Sequence, residues 1–369
     1  MKHSTNRLLT IWLLPLLTLA GPAMAEKVSF RPEALLAGTA LQSVHLADFN
    51  GDGKLDIAAV TEWDSVAVLL RAAGGYAEPV VTPTGGRGSW GMATGDFNHD
   101  GKLDVAVTNN LSNTVSILLG NGDGTFRLAG SYSTDMSPTA IVAADFNHDG
   151  HVDLAIVNGG SGAVTILLGK GNGTFQAGQR IFLGSSPTDA VTGDFNGDGI
   201  PDLAVTNGTM YSQVVEVLLG NGDGTFHVAQ SVAVGNEPFA VVVGAFIDGG
   251  TDDLAVTNLA SNDVSVLTGN GDGTFQASRT YSAGEGPSGI AVADFNLDGK
   301  LDLAVCNDVS GQVSVYLGKG DGTFQSAMGF ATGGTPTSIA VGDLDRNGRT
   351  DIVTAGPTGI VVLRNTTHR

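Results

Sequence analysis

A unit of about 49 residues recurs seven times along the chain, and no other feature constrains the fold as strongly. Sliding the sequence along itself aligns Asp48, Asp96, Asp145, Asp194, Ala245, Asp294 and Asp343, at steps of 48, 49, 49, 51, 49 and 49. A clear copy, PTAIVAADFNHDGHVDLAIVNGGSGAVTILLGKGNGTFQAGQRIFLG, begins at Pro138. It holds four β-rich runs, residues 140–144, 154–157, 164–168 and 174–183, parted by Gly, Asn and Asp. Those residues supply turn conformations that other side chains resist, so the runs read as consecutive antiparallel strands.

The runs are almost continuously apolar, as strands covered on both faces must be. Four-strand repeats of this length stack radially as the blades of a propeller. The sequence therefore predicts an all-β fold, a seven-bladed β-propeller of four-stranded antiparallel blades. The seventh repeat stops at its third strand, residues 360–363, without the hairpin and fourth strand of the other copies. The missing piece stands at the other end, where SFRPEALLAG from Ser29 matches TFQAGQRIFLG from Thr174. Residues 27–38 are thus expected to complete the last blade and close the ring, hiding two edges that would otherwise be unpaired.

The first 25 residues differ in kind. A basic start with Lys2 and Arg7, an apolar stretch over residues 8–20 and Ala23-Met24-Ala25 read as a cleaved secretory signal, with no membrane span intended. The expected organisation is a signal over 1–25 and a single propeller over 26–369, exported to the periplasm, cell surface or medium. The chain carries a formal charge of -19, and losing Lys2 and Arg7 makes it about -21. That balance excludes nucleic acid and anionic lipid as partners, and the sequence offers no basic patch against it. One cysteine, Cys306, rules out a disulfide framework.

Between the first and second strands, six repeats carry the pattern D-x-[ND]-x-[DN]-G-x-x-D. Side-chain oxygens at positions one, three, five and nine, with the backbone carbonyl of position seven, are the hard ligands that Ca²⁺ takes in number. Glycine at position six allows the sharp turn that gathers them. The six sets are Asp48, Asn50, Asp52, Lys54 and Asp56; Asp96, Asn98, Asp100, Lys102 and Asp104; Asp145, Asn147, Asp149, His151 and Asp153; Asp194, Asn196, Asp198, Ile200 and Asp202; Asp294, Asn296, Asp298, Lys300 and Asp302; and Asp343, Asp345, Asn347, Arg349 and Asp351. The fifth repeat has Ala245, Ile247 and Gly249 at positions one, three and five and keeps only Asp253, so the sequence predicts about six calcium ions and not seven. Three acids in each of six loops make up 18 of the 37 acidic residues, a concentration that plain turns do not require.

The DFNGDGKLDIAAV and LLGNGDGTF units resemble FG-GAP or VCBS-type repeats, which build the integrin α-chain propeller. The resemblance covers the whole chain after residue 25. It implies seven blades and calcium in the first loops, and by likeness to integrin α-chains it implies that ligands meet the opposite rim. It fixes no ligand.

That rim is formed by the loops from second to third strand and from fourth strand to the next blade. Trp63 follows the second strand of blade one and Trp90 begins the first strand of blade two, with Asp64, Arg87 and Ser89 nearby. Tyr211 and Phe239 stand in a comparable relation between blades four and five. Flat aromatic faces beside polar donors suit sugar rings, so carbohydrate or a cell-surface protein ligand is the expected partner. Taken singly, each aromatic reads more readily as a cover for a blade end. A docking scaffold is the alternative, to be distinguished by an apolar patch on the same rim. A polysaccharide hydrolase or lyase would need carboxylates converging outside the loops, for which Asp64, Glu62, Glu237 and Glu285 are the candidates. No G-x-S-x-G or H-E-x-x-H pattern is present, and the expectation is a binding module.

Overall fold

The structure, a computed structural model, describes residues 28–184, 186–209 and 212–367. The expected signal over residues 1–25 lies outside them. The chain forms seven four-stranded antiparallel sheets. In the third, Pro138–Ala144, Asp153–Asn158, Ala163–Gly169 and Phe175–Phe182 lie side by side in chain order. Every residue of its second strand is buried, because neighbouring sheets cover both faces. The fourth strand is mostly exposed beyond Phe175. Among the described residues no helix is long and apolar enough to cross a membrane.

The first strands of the blades, Leu41–Ala47, Ser89–Gly95, Pro138–Ala144, Pro187–Gly193, Pro238–Gly244, Pro287–Ala293 and Ser338–Gly342, pack each against the next, and the last returns to the first. That cycle is the closed ring. The expected closure is present as well: Phe30–Ala37 pairs antiparallel with Gly359–Asn365, from Phe30 opposite Asn365 to Ala37 opposite Gly359. The N-terminal strand so becomes the fourth strand of blade seven.

Seven apolar clusters fill the seven junctions, one between each pair of neighbouring blades. Each fully buried Val, Ile or Leu in them contributes about 1.5–3 kcal/mol relative to exposure. The recurring phenylalanines pack across these junctions. Phe126 of blade two stands edge-on to Phe49 of blade one, with ring centroids 5.9 Å apart, and Phe175 meets Phe97 in the same way at 5.6 Å. At the closing blade Phe30 takes the equivalent place against Phe295, at 5.9 Å. The hairpin of each following blade also hangs on the loop before it, as where Gly173 N–H donates to the Phe97 carbonyl at 2.8 Å.

Glycine at the end of the third strand is required by close approach. A Cβ on Gly120 would lie 2.1 Å from the Leu103 carbonyl oxygen, so the recurring LLG leaves no room for a side chain there.

Candidate functional site

The first-to-second-strand loops fold by short-range hydrogen bonds. In the first, Asp48 Oδ1 accepts the Asp52 N–H at 3.1 Å and Oδ2 accepts the Gly53 N–H at 2.6 Å. Asn50 Oδ1 accepts the Asp52 N–H and Asp52 Oδ1 accepts the Lys54 N–H. The bonds to positions five and six recur in the loops beginning at Asp96, Asp145, Asp194, Asp294 and Asp343. Oδ2 of each first-position aspartate accepts the position-six N–H and keeps a lone pair beyond it. Among the described residues no three His, Cys, Asp or Glu side chains are gathered as in a closed metal centre.

The ninth-position aspartates have a further duty. Asp104 is fully buried; Oδ2 accepts the Phe97 N–H at 2.9 Å and Oδ1 accepts the Gly120 N–H at 2.8 Å. It thereby ties the loop to the glycine that opens the hairpin. Burial pushes the Asp104 and Asp153 carboxyls up to about 6 and Asp302 to about 7. Their two N–H partners oppose this, and the charges at positions five and one add to it. Like charges drawn onto an all-oxygen donor set fit a hard divalent cation, which would relieve that repulsion.

The fifth loop separates the two duties. Asp253 keeps both bonds, from Phe246 N–H at 2.9 Å and Gly269 N–H at 2.8 Å, although positions one, three and five have lost their oxygens. Ile247 instead bridges to Asp321, and Asp248 N–H donates to the Gly320 carbonyl at 2.9 Å. Reading the ninth residue purely as a ligand missed this clamp. Its survival in the altered repeat was the available signal.

The expected rim residues go to different places. Trp63 stands 79 % exposed on its turn. Asp64 adopts a left-handed backbone, and its Oδ1 accepts the Ser89 N–H at 3.1 Å. Ser89 is buried and donates from Oγ to Asn109 Oδ1 at 2.9 Å. Both are committed to framing the loop. Arg87 is exposed, with its backbone bonded to Ser112 Oγ. Trp90 and Phe239 instead line the axial channel, and Tyr211 lies outside the described residues.

The channel encloses about 390 Å³ and is lined by the first strands of all seven blades. Its repeats serve as their own controls. At the level of Trp90 and Phe239 the other blades place Gln42, Thr139, Thr188, Ser288 and Thr337. One residue further along each strand, Ser43, Gly91, Ala140, Ala240, Gly289 and Ser338 share a level with Asp189, the single charged residue of that level. Asp189 Oδ2 accepts the Val241 N–H of the next blade at 3.1 Å. Burial pushes the Asp189 carboxyl up to about 6, and burial likewise holds His45, the other titratable group on the wall, down at about 4.

Ring closure also creates a cleft of mixed charge that the sequence did not disclose. The seam between blades seven and one leaves about 560 Å³ bordered by Arg31, Arg71, Arg349 and Arg364 and by Glu33 and Asp345. Arg364 pairs with Glu33 at 3.2 Å and with fully buried Asp351 at 3.0 Å. The acids offset the arginines there, and the two chain ends must meet to form the cleft.

The FG-GAP-like repeat matches six overlapping windows, residues 48–107, 96–156, 145–205, 194–248, 246–305 and 294–354. The chain belongs to the FG-GAP-like repeat family. No curated protein matches the sequence. Among solved structures, this FG-GAP propeller is similar to a chain of BBS1N in complex with ARL6DN, soaked with mercury. The TM-score is 0.67 at 13 % identity, covering 94 % of this chain and 98 % of that one. The same complex soaked with lead gives 0.64 at 14 % identity, covering 93 % and 97 %. A functionally unknown protein from Desulfotomaculum acetoxidans DSM 771 gives 0.57 at 13 % identity, covering 86 % and 88 %. At such identities the likeness is one of fold.

Within the FG-GAP propeller Cys306 and the asparagines that end the second strands belong to the framework. Cys306 is fully buried and burial pushes its thiol far up, so it is no ready thiolate. Asn109, Asn158, Asn258 and Asn307 are buried and bond across to hydroxyls of their third strands. His99 and His151 meet at 2.8 Å between two neighbouring loops. Glu62, Glu237 and Glu285 belong to separate blade ends, and none lines the channel.

Proposed function

We propose that this FG-GAP propeller is a calcium-stabilised binding module that docks a partner protein on the rim opposite its acidic loops. One observation carries the reading. Trp63, Leu111, Met136 and Val309 are 79 %, 71 %, 57 % and 70 % exposed, and all four stand on loops of that rim, in blades one, two and six. Large apolar side chains exposed on one face suit a protein contact surface. The division of labour supports it: the loops of one rim are shared by the repeats, and the opposite loops differ from blade to blade, as a surface that reads one partner must. A protein partner in the BBS1N complexes is compatible with this use of the fold.

Calcium enters through Asp48, Asn50 and Asp52 and their counterparts, with the position-seven carbonyls completing each set. When bound it supplies positive charge against the clustered carboxylates. The residues themselves fix loop shape and tie each loop to its hairpin.

A second reading, carbohydrate, is favoured by Trp90 and Phe239 among hydroxyls at the channel. Crosslinking of the protein to its native extracellular fraction, read by mass spectrometry, tests the choice. A Trp63→Ser, Leu111→Ser, Val309→Ser variant should lose the captured partner while Phe182→Ser, on an outer strand, keeps it. Equal capture by both variants refutes rim docking, and glycan-array binding abolished by Trp90→Ala alone transfers the function to sugar.

A further inference from the structure

We propose that the axial channel is a binding site for an organic ammonium group, with Asp189 as its counter-ion and Trp90 and Phe239 as its aromatic wall. The site is separate from the rim surface and stands on different residues.

The repeats isolate what is special here. Capping the edge N–H of the next blade's inner strand does not require a carboxylate: at the closing junction the neutral Ser338 Oγ accepts the Val44 N–H at 3.1 Å. Asp189 does the same for Val241 and brings in addition a charge that capping leaves unexplained. Among the described residues no Lys, Arg or His forms an ion pair with it. A half-buried carboxylate without a cation is costly, and the channel supplies room for one. His45 cannot serve, because burial keeps it neutral near pH 7.

The chemistry of the wall selects the kind of cation. Calcium takes six to eight oxygens, commonly with several carboxylates, and the channel has one. Aromatic rings attract ammonium groups through their electron-rich faces, and Trp90, 42 % exposed, leaves its ring open to one. Trp90 and Phe239 replace the small hydroxylated residues found at that level in most other blades, and they line the same cavity as Asp189. Gln42, Thr139 and Thr337 leave polar groups for a substituent near the nitrogen. The acidic chain as a whole draws cations toward it.

An ammonium can come from a free amine or from a lysine of a docked protein. In a Trp63→Phe background, Trp90 emission is titrated with butylammonium chloride, with 1-butanol, and with the peptide acetyl-Gly-Lys-Gly-amide. A saturable change with butylammonium and none with butanol supports a free-amine site; saturation with the peptide alone supports a partner's lysine. In either case Asp189→Asn, which keeps an oxygen for the Val241 N–H, should weaken binding at least tenfold without lowering the melting temperature. Asp189→Ser, which copies the hydroxyl cap of Ser338, should do the same if the first variant folds poorly. Undiminished binding by these variants, equal response to butanol, or no saturation by either amine up to about 10 mM overturns the proposal.

Discussion

Replacing Asp253 by alanine isolates the clamp from the metal. Asp253 is 1 % exposed, and its oxygens accept the N–H groups of Phe246 and Gly269 at 2.9 and 2.8 Å. Alanine leaves both donors without partners in a place water does not reach freely. Each such loss costs about 1–3 kcal/mol, and the removal of a buried charge offsets part of it, so the expected destabilisation is about 2–4 kcal/mol. Ala245, Ile247 and Gly249 give this loop no ligand set, so the loss should be the same in calcium and in chelator. Asp302 makes the matching bonds, to Phe295 and Gly318 at 2.9 and 2.8 Å, in a loop that keeps every oxygen of the proposed calcium set. Asp302→Ala should therefore equal Asp253→Ala in chelator and exceed it in calcium. Urea denaturation followed by circular dichroism, with and without calcium, reads both. A cost below about 1 kcal/mol for Asp253→Ala, or a calcium-dependent one, refutes the separation of clamp from ligand.

Three further outcomes follow from the geometry. Arg364→Ala should destabilise by about 3 kcal/mol, because Asp351 stays buried without its partner, and urea denaturation measures it. Deleting residues 27–38 should broaden thermal unfolding, since the last blade loses the strand paired with Gly359–Asn365; an unchanged calorimetric transition contradicts the closure. Asp189 has a folded pKa of about 6, raised above its ordinary 3.8, so its protonated form favours folding below pH 4 and that contribution is lost as pH rises through 6. Asp189→Asn should accordingly gain on the parent between pH 4 and pH 7, by about 1–2 kcal/mol after allowance for solvent in the channel, in denaturation at each pH.

What was legible in the sequence is what the repeats state many times. Seven copies of a four-strand pattern with doubly buried runs gave the propeller, and the match of Ser29 onward to Thr174 onward gave its closure. The loops were legible because their spacing returns six times. Single residues were harder. Asp64 and Ser89 lie near the tryptophans in sequence, yet the tight turn between blades one and two needs their hydrogen bonds. Trp90 and Phe239, 149 positions apart, share a channel only after the chain has closed on itself, and Asp189 joins them by the same route. The arginine seam depends on the two chain ends meeting. The clamp could have been read from Asp253, the residue that remains when its neighbours change.

Metal analysis of the purified protein after exhaustive dialysis from calcium tests the division between a shared, metal-held rim and a distinctive binding rim most directly. Six calcium ions per chain, with a melting temperature that falls on chelation, is the expected result. No bound calcium, a seventh equivalent ion, or melting indifferent to chelator contradicts it.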